Sequence, residues 1–242
     1  NGYNTAVGFE AGKLMTTGIR NTLVGGIAGD SLTTGQRNTA VGYGALSTED
    51  AHGFNTAVGH NALTTLNAGA EGYNTAIGTD AGQAMTTGIN NTIVGGLAGD
   101  ALTTGGGNVA IGEGSLSDET TGSHNVAIGR DAMSSSQLSQ HNIAIGNNAL
   151  VNVTNGSLKN TYNIAIGTEA GNDITIGERN VLVGAFSGDA ITEGLKNVAI
   201  GYNALTTSID GDHNTAVGYS ALEDYEGGNG EGHNAAVGSK SQ

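Results

Sequence analysis

The amino-acid sequence predicts an all-β fold, a two-sided parallel β-roll, or β-solenoid, of about 14 coils with a 17-residue repeat. Three observations predict it. The pentad Asn-Thr-Ala-Val-Gly and close variants of it recur fourteen times at nearly constant spacing. A β-branched residue precedes the glycine of every copy, which favours a strand. Glycine also recurs too often inside each repeat for a helix, so we expect each repeat to be one coil of a stack.

Each repeat begins at an asparagine, which we number position 0 of its coil. Ten of the thirteen intervals between these asparagines are 17 residues, and the other three are 19, 21 and 20. An asparagine that never varies predicts a ladder of stacked side-chain amides, each hydrogen-bonded to its neighbours. The predicted ladder comprises Asn4, Asn21, Asn38, Asn55, Asn74, Asn91, Asn108, Asn125, Asn142, Asn163, Asn180, Asn197, Asn214 and Asn234.

Position 4 is glycine in all fourteen copies. A glycine that is never replaced indicates a backbone corner with positive φ or a close approach of two chains. We therefore assign the same structural role to this glycine in every coil. Its first four copies are Gly8, Gly25, Gly42 and Gly59.

The second half of the repeat comes in two types. In six coils position 8 is glycine and position 11 is Met, Leu or Ile, whereas in seven others position 8 itself is Leu or Met. Both types place one bulky apolar side chain in each coil. A repeat of 17 residues can hold two short strands and two turns, so the remainder of the repeat, with its Thr-Thr-Gly segments, predicts a second short strand on the other side of the coil and a return turn.

The order of the two types predicts a threefold super-repeat within one solenoid domain over residues 1–242. Two glycine-type coils precede two or three leucine-type coils, and each longer interval follows a leucine-type coil. The predicted blocks cover about residues 1–72, 73–161 and 162–232, followed by a truncated coil at 233–242. A longer surface loop is expected to close each block.

Composition limits the core and the partners. With 43 Gly, no Trp and 3 Phe among 242 residues, small aliphatic side chains must fill a thin core, so several chains packed together would supply the missing burial. The net charge of −14 and eight bases scattered along the sequence argue against nucleic acid. No apolar run is long enough to span a membrane, no cysteine is present, and no cofactor motif occurs.

We expect the protein not to be an enzyme. Val7-Gly8-Phe9-Glu10-Ala11-Gly12 fits one hexapeptide of the left-handed β-helix acyltransferases, but that fold requires an aliphatic residue every six, and position 9 is Lys13 or Asp30 in the first two coils. A carboxylate pair for glycoside cleavage, assembled between chains, is a further alternative without specific residues to support it. No catalytic or cofactor-binding residue is therefore assigned.

Three other groups of residues could form binding surfaces, but each has a simpler explanation. His124, His141, His213 and His233 each precede a repeat asparagine and could meet as metal ligands, but the mixture of residues at this position favours a solvent-facing site. Acidic residues such as Glu49-Asp50, Asp118-Glu119 and Glu223-Asp224 with Glu226 could hold Ca²⁺ between chains, although solvated charge is the simpler reading. Thr-Thr pairs could bind ice but are more typical of turns. No metal site is assigned.

One motif resembles a known family. The pentad "NVAIG" at residues 108–112, 125–129 and 197–201, followed by Ala or Ser three residues on, resembles the head repeats of trimeric autotransporter adhesins. The chain is similar also to "NTAVGYxAL" repeats of bacteriophage tail fibres. The resemblance covers nearly the whole chain and implies a left-handed parallel β-roll bundled as a homotrimer.

These observations predict a structural fibre or adhesin segment, a trimeric β-roll shaft or head that presents receptor-binding elements to a host cell surface. The expected location is extracellular, on a virion tail fibre or a bacterial surface. The expected partners are two further copies of the chain and a host-surface glycan or protein receptor. The alternative is that the roll itself binds a glycan through its variable loops at 66–73, 151–162 and 223–233.

Overall fold

The structure, a computed structural model, describes residues 2–225 and 232–242. Over these residues it consists of short parallel strands joined by turns and contains no helix, which confirms the predicted all-β solenoid. The chain forms two compact units, residues 1–123 and 124–242. The single domain and its three blocks remain predictions.

The first unit contains one parallel sheet of seven three-residue strands, each paired with the next along the chain. The strands are β1 (Thr5–Val7), β2 (Thr22–Val24), β3 (Thr39–Val41), β4 (Thr56–Val58), β5 (Thr75–Ile77), β6 (Thr92–Val94) and β7 (Val109–Ile111).

The second unit repeats this arrangement and adds a smaller sheet. Its main parallel strands are β8 (Val126–Ile128), β10 (Ile143–Ile145), β12 (Ile164–Ile166), β13 (Val181–Val183), β14 (Val198–Ile200), β15 (Thr215–Val217) and β16 (Ala235–Val237). The smaller sheet pairs β9 (Gln137–Gln140) with β11 (Thr154–Asn160) in parallel, with a register shift between Thr154 and Lys159.

Each main-sheet strand occupies positions 1 to 3 of its coil, and within a unit it lies in register on the next coil. Thr22 is paired with Thr39, its amide donates to the carbonyl of Asn38 at 2.9 Å, and the amide of Gly42 donates to the carbonyl of Val24 at 2.8 Å. Equivalent side chains therefore stand above one another in columns, as the constant spacing predicts.

The second side of the coil differs from the prediction of a second short strand. Outside β9 and β11, the described residues of this side form successive turns, in which the amide of Ala28 bonds to Gly25 and that of Leu32 to Gly29. Equivalent turns are still hydrogen-bonded between coils, as from the amide of Thr16 to the carbonyl of Thr33 at 2.9 Å. Glycine and polar residues at these positions favour turns over an extended strand.

The core is a narrow stack of aliphatic side chains from positions 2, 7, 8 and 11. Alanine occupies most copies of positions 2 and 7, which brings the two sides of the coil close together. Where two glycine-type coils follow each other, position 2 of the second carries a larger residue, namely Leu23, Ile93 or Leu182. These side chains lie against the position-8 glycines of both coils and fill the space that no Cβ occupies.

Position 8 has positive φ in both types of coil, at 62° for Gly12 and 52° for Leu46. Glycine adopts this conformation without strain but leaves a gap, which a bulky residue at position 11 fills. Leucine fills the gap itself and accepts a strain of about 1–2 kcal/mol. The two types of coil are thus two ways of filling one interior site.

The invariant glycine at position 4 combines positive φ with a close approach. Gly8, Gly25, Gly42 and Gly59 have φ of 135°, 138°, 139° and 143°. A Cβ on Gly42 would overlap the carbonyl oxygen of Gly59 in the next coil. Positive φ and the close approach of the next coil, the two reasons inferred from the sequence, therefore both apply to this glycine.

The substitution Gly42→Ala should lower the free energy of unfolding by about 3 kcal/mol, because it adds backbone strain and a collision with a neighbouring main chain. Chemical denaturation measures the loss. Gly96→Ala is the matched control, since Gly96 has no heavy atom within 4 Å of an added Cβ. A control variant as unstable as Gly42→Ala would contradict this explanation.

Candidate functional site

The asparagines of position 0 form a hydrogen-bonded column in each unit, and all of them are buried except Asn4, which is exposed, and Asn234, which is half-buried. The side-chain oxygen of Asn21 accepts the main-chain amide of Asn38 at 2.8 Å, and its Nδ2 donates to the carbonyl of Gly35 at 2.8 Å. The same two bonds recur at Asn91, which binds the amide of Asn108 and the carbonyl of Gly105. One side chain thus joins the strand start of the next coil to a turn.

Direct bonds between amide side chains, as the sequence predicts, occur beside these main-chain bonds. The Nδ2 donates to the Oδ1 of the preceding asparagine at 3.0–3.3 Å in six pairs. The donors are Asn74, Asn91, Asn142, Asn180, Asn214 and Asn234. Bonds between the asparagine side chains and the main chain are shorter and more regular. The column therefore acts chiefly by hydrogen-bonding main-chain amides and carbonyls of successive coils.

Replacing one column amide by a carboxylate tests this role. Asn91→Asp keeps the acceptor for Asn108 but removes both donors and turns an oxygen toward the carbonyl of Gly105, so we expect a loss of about 2–3 kcal/mol in the free energy of unfolding. Asn90→Asp makes the same charge change at the exposed neighbouring residue and should cost less than about 0.5 kcal/mol. Equal losses in urea unfolding would rule out the column as the cause.

Two acidic residues expected to be solvated are buried. The Oε1 of Glu49 accepts the amide of His52 at 3.0 Å and its Oε2 accepts the amide of Ala68 at 3.1 Å. The Oε1 of Glu119 accepts three successive amides, of which that of Gly122 is the nearest at 2.7 Å. The prediction is wrong for these two because position 11 points into the coil, where backbone donors replace water.

The acidic residues next to Glu49 and Glu119, and those near residue 223, are expected to be in contact with solvent. Asp118 and Asp224 are exposed and Asp50 and Glu223 are half-buried, whereas Glu226 lies outside the described residues. Binding of Ca²⁺ between chains stays a prediction.

Glu49, Asp50 and His52 form a group whose ligand atoms lie within 4.8 Å of one another. Both oxygens of Glu49 already accept amide hydrogens, and the Nδ1 of His52 lies 3.2 Å from the same carboxylate. The geometry is that of a buried carboxylate whose hydrogen bonds come from its own turn and from the insertion of the next coil.

Three half-buried aspartates share position 9 in the second of two successive glycine-type coils. In Asp30, Asp100 and Asp189 the Oδ1 atom is buried and accepts no hydrogen bond from the described residues. Burial raises the pKa of all three carboxyls, and it raises the pKa of Asp189 to about 6. Sequence reasoning missed this group, although its recurrence once per super-repeat was a visible signal.

The raised pKa of Asp189 predicts a dependence of stability on pH. Because the folded protein holds this proton up to about pH 6 and the unfolded chain only to its ordinary value of 3.8, the free energy of unfolding should fall as the pH rises between them. After allowance for solvent screening we expect about 1 kcal/mol. Asp189→Asn should flatten this part of the profile. Asp118→Asn, at an exposed carboxyl, should leave it in place, and a profile unchanged by Asp189→Asn would contradict the assignment.

The residue before each repeat asparagine, position −1, forms a second column that we call the corner column. It includes His124, His213 and His233, which are exposed, and His141, which is half-buried, in agreement with the expected solvent-facing site. Their rings stack rather than converge on a point: the ring centroids of His124 and His141 are 5.0 Å apart. The bases are not scattered in space as they are in the sequence, because the coil period collects half of the Lys and Arg residues in this column.

The threonine pairs lie in turns, as expected. The hydroxyl of the first threonine donates to a carbonyl of the next coil, from Thr33 to Asp50 at 2.9 Å and from Thr103 to Thr120 at 2.9 Å. These hydroxyls are used in binding successive turns together.

The variable loops take different courses. Within 66–73, Leu66 is fully buried and the amide of Ala68 bonds to Glu49, so this insertion packs back onto its coil. The insertion at 151–162 contains β11. The loop at 223–233 lies partly outside the described residues.

The outward face of each main sheet carries positions 1 and 3. Position 3 is Val or Ile in every coil, and it is half-buried or exposed in all of them. In six of the seven coils of the second unit position 1 is apolar as well, Thr215 being the exception, so that Val198 and Ile200 stand side by side. An apolar strip therefore follows the outer face of the sheet.

Together, strands and columns define the class of this protein as a parallel β-solenoid with a 17-residue coil. Comparison with protein-family profiles, with curated proteins and with solved structures finds no match to the chain. Among the described residues there is no helix of the length and hydropathy needed to cross a membrane.

Proposed function

We propose that this chain is a structural segment of an extracellular fibre or adhesin, on a virion or a bacterial surface, in which three copies associate through the outward faces of their sheets. In this role the solenoid spaces and presents a receptor-binding element and performs no catalysis. The apolar strip on the sheets is the observation that carries the proposal.

The strip carries Val or Ile at position 3 of every coil, a regularity that a surface in contact only with water does not require. Ile166 is 38% exposed and Ile200 40% exposed in the second unit, and Ile77 is 41% exposed at the equivalent position in the first. Contiguous apolar surface of this kind is uncommon on monomeric proteins and marks an interaction site. Because the strip repeats with the coil, its natural partner is a surface with the same period, which another copy of the chain supplies.

The thin core supports the same conclusion. Most copies of positions 2 and 7 are alanine, so each coil buries little apolar area within its own chain. Packing sheet faces together would add Val and Ile side chains to the buried area of every coil. The resemblance of the "NVAIG" pentads to trimeric adhesin heads, and of the longer repeats to phage tail fibres, favours three copies.

Charges placed on the strip should prevent association without unfolding the chain. We expect the unchanged protein to sediment as a trimer and the double variant Ile166→Lys/Ile200→Lys as a monomer, because two partly exposed apolar contacts become repelling charges at each interface. Analytical ultracentrifugation measures the state, and circular dichroism checks that the fold is retained.

Ile176→Lys/Ile209→Lys is the matched control. These isoleucines are 43% and 52% exposed but lie outside the main sheet, so the control should remain trimeric. A monomeric unchanged protein, or a control that dissociates as readily as the strip variant, would overturn the proposal.

A further inference from the structure

The corner column has an unusual composition for its backbone conformation. Every residue at position −1 has φ between 49° and 70°. Asn and Gly adopt this left-handed conformation at the least cost, yet only Asn90 and Gly107 use them. The other twelve coils carry a basic or aromatic residue: Tyr3, Arg20, Arg37, Phe54, Tyr73, His124, His141, Tyr162, Arg179, Lys196, His213 and His233.

This composition departs from that of the chain as a whole. The protein has 22 acidic residues and 14 Lys, Arg and His residues, and eight of those 14 lie in the corner column. No acidic residue occurs there. A surface position chosen only for solubility would share the acidic character of the rest of the chain.

Stacking between coils explains the aromatic members. In the first unit the guanidinium of Arg37 lies 4.9 Å from the ring centroid of Phe54, and the Phe54 and Tyr73 rings are 4.9 Å apart. In the second unit the ring of His141 stacks on that of Tyr162 at 5.2 Å. Such contacts stabilise the column and offset part of the strain of its corners.

Stacking does not explain the neighbouring cations. Arg179 and Lys196 occupy position −1 of adjacent coils, and the Nζ of Lys196 donates a hydrogen bond to the Nε2 of His213 at 3.3 Å. Like charges placed side by side on adjacent strands are destabilising. A ligand that brings negative charge to this row would remove the penalty.

The acidic groups next to the row are already engaged. Glu178 forms an ion pair with Lys159, and the Oδ1 of Asp212 accepts the amide of Leu195 at 2.7 Å. Arg179 has no ion pair with a described carboxylate, and Arg179 and Lys196 are both exposed. The row therefore presents charge and hydrogen-bond donors to solvent.

We propose that the corner column binds an acidic polysaccharide laid along the coils, with its carboxylate or sulfate groups on Arg179, Lys196 and His213 and its hydroxyl groups on the neighbouring tyrosine and histidine edges. Successive coils of a parallel sheet are about 4.8 Å apart, an interval similar to that between successive sugars of a chain. Binding by this column does not require the proposed trimer, because Arg179, Lys196 and His213 belong to the same unit of one chain.

The same geometry disfavours single-stranded nucleic acid. Proteins that bind it stack bases on open aromatic faces. Here Arg37 and Tyr73 lie on either side of the Phe54 ring, and the ring of His141 lies between those of His124 and Tyr162. Ring edges, with their N–H and O–H groups, remain available for the hydroxyls and anionic groups of a sugar chain.

Binding of the 242-residue chain to defined polymers tests the proposal. The probes are a heparin oligosaccharide for sulfate, a polygalacturonate oligosaccharide for carboxylate, uncharged dextran and oligothymidylate, each measured by calorimetry at about 0.15 M salt. We expect binding to one or both acidic polysaccharides, with weaker or undetectable binding to the other two. Arg179→Gln/Lys196→Gln should weaken it about tenfold, as expected for the loss of two exposed charge contacts.

Arg130→Gln/Lys240→Gln is the matched control, because it removes two exposed bases outside the corner column and changes the net charge equally. It should weaken binding less than about twofold. Equal weakening in both variants, stronger binding to oligothymidylate, or no binding to either acidic polysaccharide would overturn the proposal. Sedimentation of the same samples reports the trimer separately, so failure of the fibre role and failure of the binding site are distinguishable.

Discussion

The bond from the buried asparagine side chain to the next coil is the interaction on which the rest of the structure depends. A three-residue strand contributes few ladder hydrogen bonds, and its flanking corners would leave amides and carbonyls unpaired inside the stack. The amide side chain of Asn21 pairs one of each, the amide of Asn38 and the carbonyl of Gly35. Leaving such groups unpaired costs about 1–3 kcal/mol each, so the demand recurs in every coil.

Other residues meet this demand less well. Aspartate offers acceptors only, and serine does not reach two partners on opposite sides of the corner. Once asparagine is fixed, its neighbours are constrained as well, because the chain must turn in the left-handed conformation before it and pass close to the next coil at the glycine of position 4. The short strand between these corners then needs only β-branched or small residues to complete the coil.

The sequence predicted the period, the parallel register and the positions of the asparagine and glycine columns, because each is a steric or hydrogen-bonding demand that repeats. It did not predict positive φ at Leu46 or at the corner residues, because only glycine indicates positive φ in a sequence and other residue types give no such signal. Burial of Glu49 depends on the amide of Ala68, in an insertion of the next coil, which no periodic pattern describes. A signal was nevertheless available, because Met15 and Leu32 occupy the same position 11 in the first two coils.

Interior positions in a stacked fold reveal little about function, because packing on the previous coil determines them. Outward positions are free of that demand, so regularity there needs another cause. Position 3 is apolar in every coil, and position −1 is basic or aromatic in twelve of the fourteen coils of an otherwise acidic chain. Stacking accounts for the aromatic members, but an exposed apolar strip and neighbouring cations do not lower the energy of an isolated solenoid. The two surfaces also differ in chemistry, since one excludes water and the other presents donors to it. They are therefore suited to different partners, an apolar surface of matching period for the sheet face and a hydrated anionic chain for the corner column.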